Sequence, residues 1–228
     1  MIGIIGAMEK EITTIKEDMN IIAAKNIVGL DFYMGTLEGK NVVLVRSGVG
    51  KVNAAVCTQI LIDMYAVDAV INIGVAGAVS SELKIGDIVI SDDLVNHDFD
   101  TTACGDEPGE ITGIPESYFK ADEQLIKRAL EAVEKVGLPV SIGRIGSGDQ
   151  FVSSPEGKER IWKLFKAKCC EMEGAAIAQT CYLNKIPFVV IRAISDNADE
   201  GTDVNYERFF RESAIKANCI IKNMLETF

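Results

Sequence analysis

The chain has 228 residues, of which 48% are hydrophobic and 25% charged, and its net charge is −11. Such a composition excludes a disordered or fibrous chain and fits one globular domain over residues 1–228, with about 70% of the unfolded surface buried at this length. The acidic balance argues against a nucleic-acid or anionic-membrane partner, since phosphates call for a basic face.

In chain order, residues 2–5 form a first apolar strand that meets Glu9-Lys10-Glu11 at once. That is too short an apolar run for a secretory leader, and no run of about 18 apolar residues follows to span a membrane. A helix is expected at 9–19, strands at 31–37 and 42–46, a helix at 51–65, and strands at 69–73 and 87–95. A loop then runs from His97 to Phe119, with three glycines and two prolines. A structureless stretch of that length points to function. The next helix, 122–136, shows helical apolar spacing at Leu125, Ala129, Ala132, Val133 and Val136, and Gly137-Leu138-Pro139 stops it. A strand at 140–147, helices at 155–165 and 174–184, a strand at 188–194 and a helix at 206–226 complete the pattern. Alternation of short apolar β-branched runs with amphipathic stretches predicts a layered α/β fold. Strands apolar throughout suit a sheet covered on both faces.

The six cysteines form no C-x-x-C pair, and His97 is the only histidine. Buried, reduced thiols are expected, hence a cytoplasmic protein with no metal site. A Ser-His-Asp or Cys-His hydrolase would depend on His97 alone.

Three glycine-rich segments follow strands: Gly3-x-x-Gly6-Ala7-Met8, Ser47-Gly48-Val49-Gly50-Lys51 and Gly74-Val75-Ala76-Gly77. Each reads as a turn where backbone can approach a ligand. None is a Walker loop or Gly-x-Gly-x-x-Gly, so neither a nucleoside triphosphate nor a dinucleotide is expected. Glu171-Met172-Glu173-Gly174 places two carboxylates before a helix, where they can cap it or accept hydrogen bonds from a diol. The run from Phe188 leads a buried strand into Ser195-Asp196, and ligands of open α/β sheets bind outside such carboxyl ends. Phe151 and Val152, after Ser147-Gly148-Asp149, are candidates for an apolar wall or for core.

Together these segments resemble the nucleoside phosphorylase/nucleosidase superfamily, and within it the bacterial 5'-methylthioadenosine/S-adenosylhomocysteine nucleosidases. The resemblance covers nearly the whole chain. It is carried by Ile2-Gly-Ile-Ile-Gly-Ala-Met-Glu-Lys-Glu11, Ser47-Gly-Val-Gly-Lys-Val52, Gly86-Asp-Ile-Val-Ile-Ser91, Ser147-Gly-Asp-Gln-Phe151, Glu171-Met-Glu173 and Arg192-Ala-Ile-Ser-Asp196, six motifs in the family's order. It implies a three-layer α/β/α fold with a central twisted mixed sheet. It also implies a homodimer, no cofactor, and hydrolysis of the adenine–ribose bond in thio-substituted adenosines within methionine salvage.

By the same resemblance, Asp196 protonates the departing purine and Glu11 activates water. Glu173 holds the ribose hydroxyls, with Met172 beneath the ring. Phe151 and Val152 contact adenine, and Met8, Val49 and Tyr206 line the sugar and 5'-substituent pocket. Ala76, Gly77, Ser195 and Ala198 complete the substrate-binding set. Two other activities on this fold are a purine nucleoside phosphorylase and a nucleosidase for another 5'-modified adenosine such as aminodeoxyfutalosine. A nucleoside-binding sensor would be expected to lose Glu11 or Asp196. Hexameric phosphorylases carry Arg-x-Gly-Ser/Thr for phosphate where this chain has Asn72-Ile73-Gly74-Val75, which favours water as nucleophile. Val75 also stands where characterised nucleosidases usually carry serine. Segment 97–106 has small and acidic groups where members often place aromatic and proline residues over the partner's 5'-substituent pocket. The dimer interface is expected to include the loop 97–114.

Overall fold

The computed structural model describes residues 1–196 and 206–228, with residues 206–211 described only as helical backbone. In chain order the elements are β1 (Ile2–Gly6), α1 (Glu9–Asp18), β2 (Asn20–Ile27), β3 (Leu30–Leu37), β4 (Lys40–Arg46), α2 (Lys51–Tyr65), β5 (Ala69–Ala78) and β6 (Ile88–Asn96). A single 3-10 turn, Thr102–Cys104, interrupts the long loop. Then come β7 (Phe119–Lys120), α3 (Glu123–Val136), β8 (Val140–Ser147), α4 (Pro155–Phe165), β9 (Cys169–Glu171), α5 (Gly174–Asn184), β10 (Phe188–Asp196) and α6 (Tyr206–Glu226).

Side-chain alternation along the strands sets the layers. Ile2, Ile4, Val42, Leu44, Ile71 and Val189 point to one face, where Ile12 and Ile15 of α1, Ala129 and Val133 of α3, and Ile220 and Ile221 of α6 cover them. Ile5, Val43, Val45, Val70 and Val190 point to the other, against Ala54, Cys57 and Leu61 of α2 and Ala175, Ala178 and Cys181 of α5. The expected three-layer α/β/α arrangement therefore holds. Helix α4 packs on a third, smaller cluster through Ile161 and Phe165.

The sheet is mixed. β1 runs parallel to both β4 and β5, and β5 parallel to β10, while β3 is antiparallel to β4 and to the outermost strand β2. At the other end the sheet closes on itself. β5 pairs β10, β10 pairs β6, β6 pairs β8, β8 pairs β9, and β9 pairs β5 again. Half of the layer is thus a five-strand ring, which the sequence pattern did not distinguish from an open sheet.

Two expectations need correction. Residues 20–27 form β2, which carried no strand signal because its residues are exposed and show no alternation. Gly74-Val75-Ala76-Gly77 is no turn. β5 continues to Ala78, since these residues pair Arg192 through Asp196 on one side and Cys170 on the other.

Candidate active site

The carboxyl ends of β1, β5, β9 and β10 meet beside the starts of α1, α2 and α5 around a cavity of about 190 Å³. Eleven of the thirteen residues expected at the site line it: Met8, Glu11, Val49, Ala76, Gly77, Phe151, Val152, Met172, Glu173, Ser195 and Asp196. Ala198 lies outside the described residues, as does the side chain of Tyr206. Val49 and Phe151 are 46% and 55% exposed, which places them at the mouth.

Glu11 sits in the first turn of α1 and folds back over the β1–α1 turn. Its Oε2 accepts the Ala7 and Met8 N–H groups at 2.7 and 2.9 Å, and its Oε1 accepts the Val75 N–H at 3.2 Å. One carboxylate thus caps the helix and ties it to β5. Burial pushes its carboxyl up, against the opposing pull of Arg192 and the three N–H groups. Gly74 makes this approach possible. A Cβ there would lie 2.8 Å from Glu11 Oε1 and 3.3 Å from Arg192 Cζ.

The two carboxylates flanking Met172 differ in their partners. Glu171 is engaged on every side. It takes the Ser147 hydroxyl, the Gly174 N–H at 2.9 Å, the Glu173 N–H at 3.1 Å, and an ion pair with buried Arg192. The helix-capping role read at this tetrapeptide belongs to Glu171, with the Ser147 hydroxyl accepting the Ala175 N–H at 2.7 Å. Glu173 makes no such cap. Its Oε1 accepts the Gly50 N–H at 2.8 Å across the cavity. Burial, reinforced by the charge of Glu171, raises its carboxyl to about 7.

Arg192 is buried beneath this wall. It donates to Asn72 Oδ1 at 2.5 Å and to the Ile191 carbonyl at 3.1 Å, besides Glu171. At the end of β10 the Ser195 hydroxyl donates to Asp196 Oδ2 at 2.9 Å and lies 3.4 Å from the Ala76 carbonyl. No Lys or Arg lines the cavity among the described residues, whereas Glu11, Glu171, Glu173 and Asp196 all do.

Ala7, Val75, Gln150, Cys170 and Glu171 also line the cavity; they are not among the thirteen expected residues, although Glu171 stood out as a carboxylate before a helix and Val75 as a departure from serine. For Ala7, Val75, Gln150 and Glu171 the available signal was position, since each adjoins an expected residue in sequence, whereas Cys170 adjoins none. Cys170 carries a thiol that burial pushes up to about 12, so it stays protonated. His97 does not line the cavity. Its ring is buried, has no hydrogen-bond partner among the described residues, and packs where a Gly148 side chain would stand. A histidine relay therefore loses its one candidate. Cys57, Cys169, Cys170 and Cys181 are buried as expected, but Cys104 and Cys219 are exposed because they sit on the long loop and on the outer side of α6; all six are unpaired. Among the described residues no group of three His, Cys, Asp or Glu side chains could hold a metal ion. No helix among them is long and apolar enough to cross a membrane.

Residues 1–228 match the family model of the phosphorylase superfamily. A curated 5'-methylthioadenosine/S-adenosylhomocysteine nucleosidase from Staphylococcus epidermidis is 42% identical over 228 residues, covering all of both chains. Among solved structures, the nucleosidase of that name from Neisseria meningitidis, in complex with methylthio-immucillin-A, is 42% identical with a TM-score of 0.95. The match covers 100% of this chain and 99% of that one. A futalosine hydrolase of Helicobacter pylori strain 26695 is 35% identical with a TM-score of 0.94, covering 100% of this chain and 97% of that one.

Proposed function

Because this chain belongs to the phosphorylase superfamily, and within it to the 5'-methylthioadenosine/S-adenosylhomocysteine nucleosidases, we propose that it hydrolyses the N-glycosidic bond of 5'-methylthioadenosine and S-adenosylhomocysteine. The products are adenine and the corresponding thioribose. As the bond to the base breaks, its electron pair passes to the purine and positive charge builds on the sugar. Asp196, at the end of β10, donates a proton to a purine ring nitrogen. Glu11, across the cavity, takes a proton from the water that adds to the anomeric carbon. Glu173 accepts hydrogen bonds from the ribose hydroxyls, with Met172 beneath the ring. Phe151 and Val152 hold the base; Met8 and Val49 face the 5'-substituent, a role proposed for Tyr206 as well. Ala76, Gly77 and Ser195 close the remaining wall, and a substrate contact is proposed for Ala198 as well.

The observation that carries this reading is the sign of the wall. Among the described residues, four carboxylates and no cation line the cavity. Such a wall favours a cationic sugar in the transition state and disfavours a phosphate dianion as nucleophile. Arg192 is committed to Glu171 and Asn72. Lys51 pairs with Asp98, and Arg46 faces Glu9, so neither basic group flanking the second glycine turn reaches the cavity. Incubation with methylthioadenosine, with and without phosphate, tests the assignment. Free methylthioribose in both cases is the expected product, and methylthioribose 1-phosphate would mark a phosphorylase.

The likeness to a futalosine hydrolase supports acceptance of larger 5'-groups, as does the absence of bulky side chains at 101–106. Aminodeoxyfutalosine belongs in the same assay. We also propose a cytoplasmic homodimer. Six unpaired cysteines fit a reducing compartment. Val49, Val52, Val56 and Met64 form an exposed apolar stripe at helical spacing, running from the cavity mouth along α2 toward exposed Leu183 of α5. A stripe of this kind marks a protein interface, and the loop 97–114 is proposed to join it.

A further inference from the structure

The wall that would hold ribose is built from chain segments far apart in sequence, and one exposed carboxylate ties them. Gly50 precedes α2 and offers that helix no side-chain cap. Its N–H points at Glu173 Oε1, at 2.8 Å. The next N–H, of Lys51, is taken at 2.8 Å by Asp149 Oδ1, from the loop between β8 and α4. Asp149 is itself fixed, since its own N–H donates to Asp98 Oδ2 at 2.8 Å. The other oxygen of Asp98 receives the Lys51 ammonium. Burial would raise the Asp98 carboxyl, but that ammonium and the Asp149 N–H hold it below the usual range. Gly50 is fitted to this arrangement. Its φ of +97° is left-handed, and a Cβ would lie 3.1 Å from Asp149 Oδ1.

We propose that Asp149 is a positioning residue for the ribose subsite: by capping α2 from the β8–α4 loop it holds the Gly50 N–H on Glu173, and so aims the Glu173 carboxylate at the sugar hydroxyls. The same loop carries Phe151 and Val152. Asp149 therefore sets the spacing between the wall that grips the base and the wall that grips the sugar. The inference rests on the assignment of Glu173 to the ribose.

The test compares binding of free adenine with that of 5'-methylthioformycin, a ribosyl analogue whose carbon–carbon link cannot be hydrolysed. Asp149→Ala is expected to weaken the ribosyl ligand about tenfold, the size of one lost hydrogen bond, and to leave adenine within about twofold. Asp149→Asn keeps an acceptor oxygen and should recover most of the loss. In the Glu173→Gln background Asp149→Ala should cost little more, because residues acting through one another are non-additive. Equal weakening of adenine, no recovery by Asn, or full additivity with Glu173→Gln each overturns the proposal. Glu173→Gln measured alone reports on the premise. If it leaves the ribosyl ligand unaffected, the ribose assignment fails and the positioning role falls with it. If it weakens that ligand while Asp149→Ala does not, only the positioning role fails.

Discussion

Glu173 shows how burial changes what a carboxylate contributes. Its folded pKa of about 7 lies above the ordinary 4.5. Between those values the folded chain holds a proton that the unfolded chain has released. Stability therefore falls as pH rises through that window. Glu11 is raised as well and adds in the same direction. Without ligand, the melting temperature should be higher at pH 5.5 than at pH 7.5, and Glu173→Gln should flatten much of the difference. An unchanged slope in that variant would show that Glu173 is not the group responsible. At the chemical step, Asp196→Asn should fold normally and lose roughly 10²–10⁴-fold in kcat, the usual worth of general-acid help. Retention of activity within threefold would remove Asp196 from that role. Glu11→Gln should stop turnover while 5'-methylthioformycin still binds, because water activation contributes to the transition state and not to ground-state affinity.

Among the elements, β5 does more than its sequence announced. Glycines at 74 and 77 suggested a turn, yet the strand runs through both. The glycine at 74 serves a close approach of side chains, not a bend: Glu11 and Arg192 occupy the space a Cβ would need. Gly74→Ala should therefore displace Glu11, lower kcat by roughly 10²-fold and destabilise by about 1–3 kcal/mol, as overpacking does. Parallel measurements of kcat and urea denaturation check this, and an alanine variant with normal turnover would show that the carboxylate can move without harm. Strands with both faces covered were readable because their runs are apolar throughout. β2 was not, since it lies at the sheet edge with Ile22 at 72% exposure, where packing asks for no pattern. Capping explains the clear helix starts, with Asp122 accepting the Gln124 and Leu125 N–H groups and Ser154 that of Gly157.

For the whole molecule, the six motifs read in order already pointed to a site where strand ends converge, and eleven of the thirteen residues expected there line one cavity, Ala198 and the Tyr206 side chain lying outside the described residues. What the sequence could not convey was that, within Glu171-Met172-Glu173, it is Glu171 that caps the helix. That follows from Arg192 and Ser147, which lie far away along the chain and reach Glu171 only in three dimensions. The five-strand ring was hidden for a different reason, because β9 is three residues long and leaves no periodic trace. The apolar stripe along α2 leads to a prediction at this scale. Val52→Glu combined with Val56→Glu should yield monomers in sedimentation analysis with the subunit fold intact, and activity should fall because the stripe begins at the cavity mouth. A double variant that stays dimeric would place the interface elsewhere.

The ring also sets a timetable for biosynthesis. Its closing strand, β10, pairs with β5 and β6 from the first half of the chain. Until the ribosome has delivered it, Glu171 has no guanidinium beside it and the cavity lacks Ser195 and Asp196. A chain that stops before β10 would therefore carry most of the fold's strands and lack the wall that Ser195 and Asp196 complete.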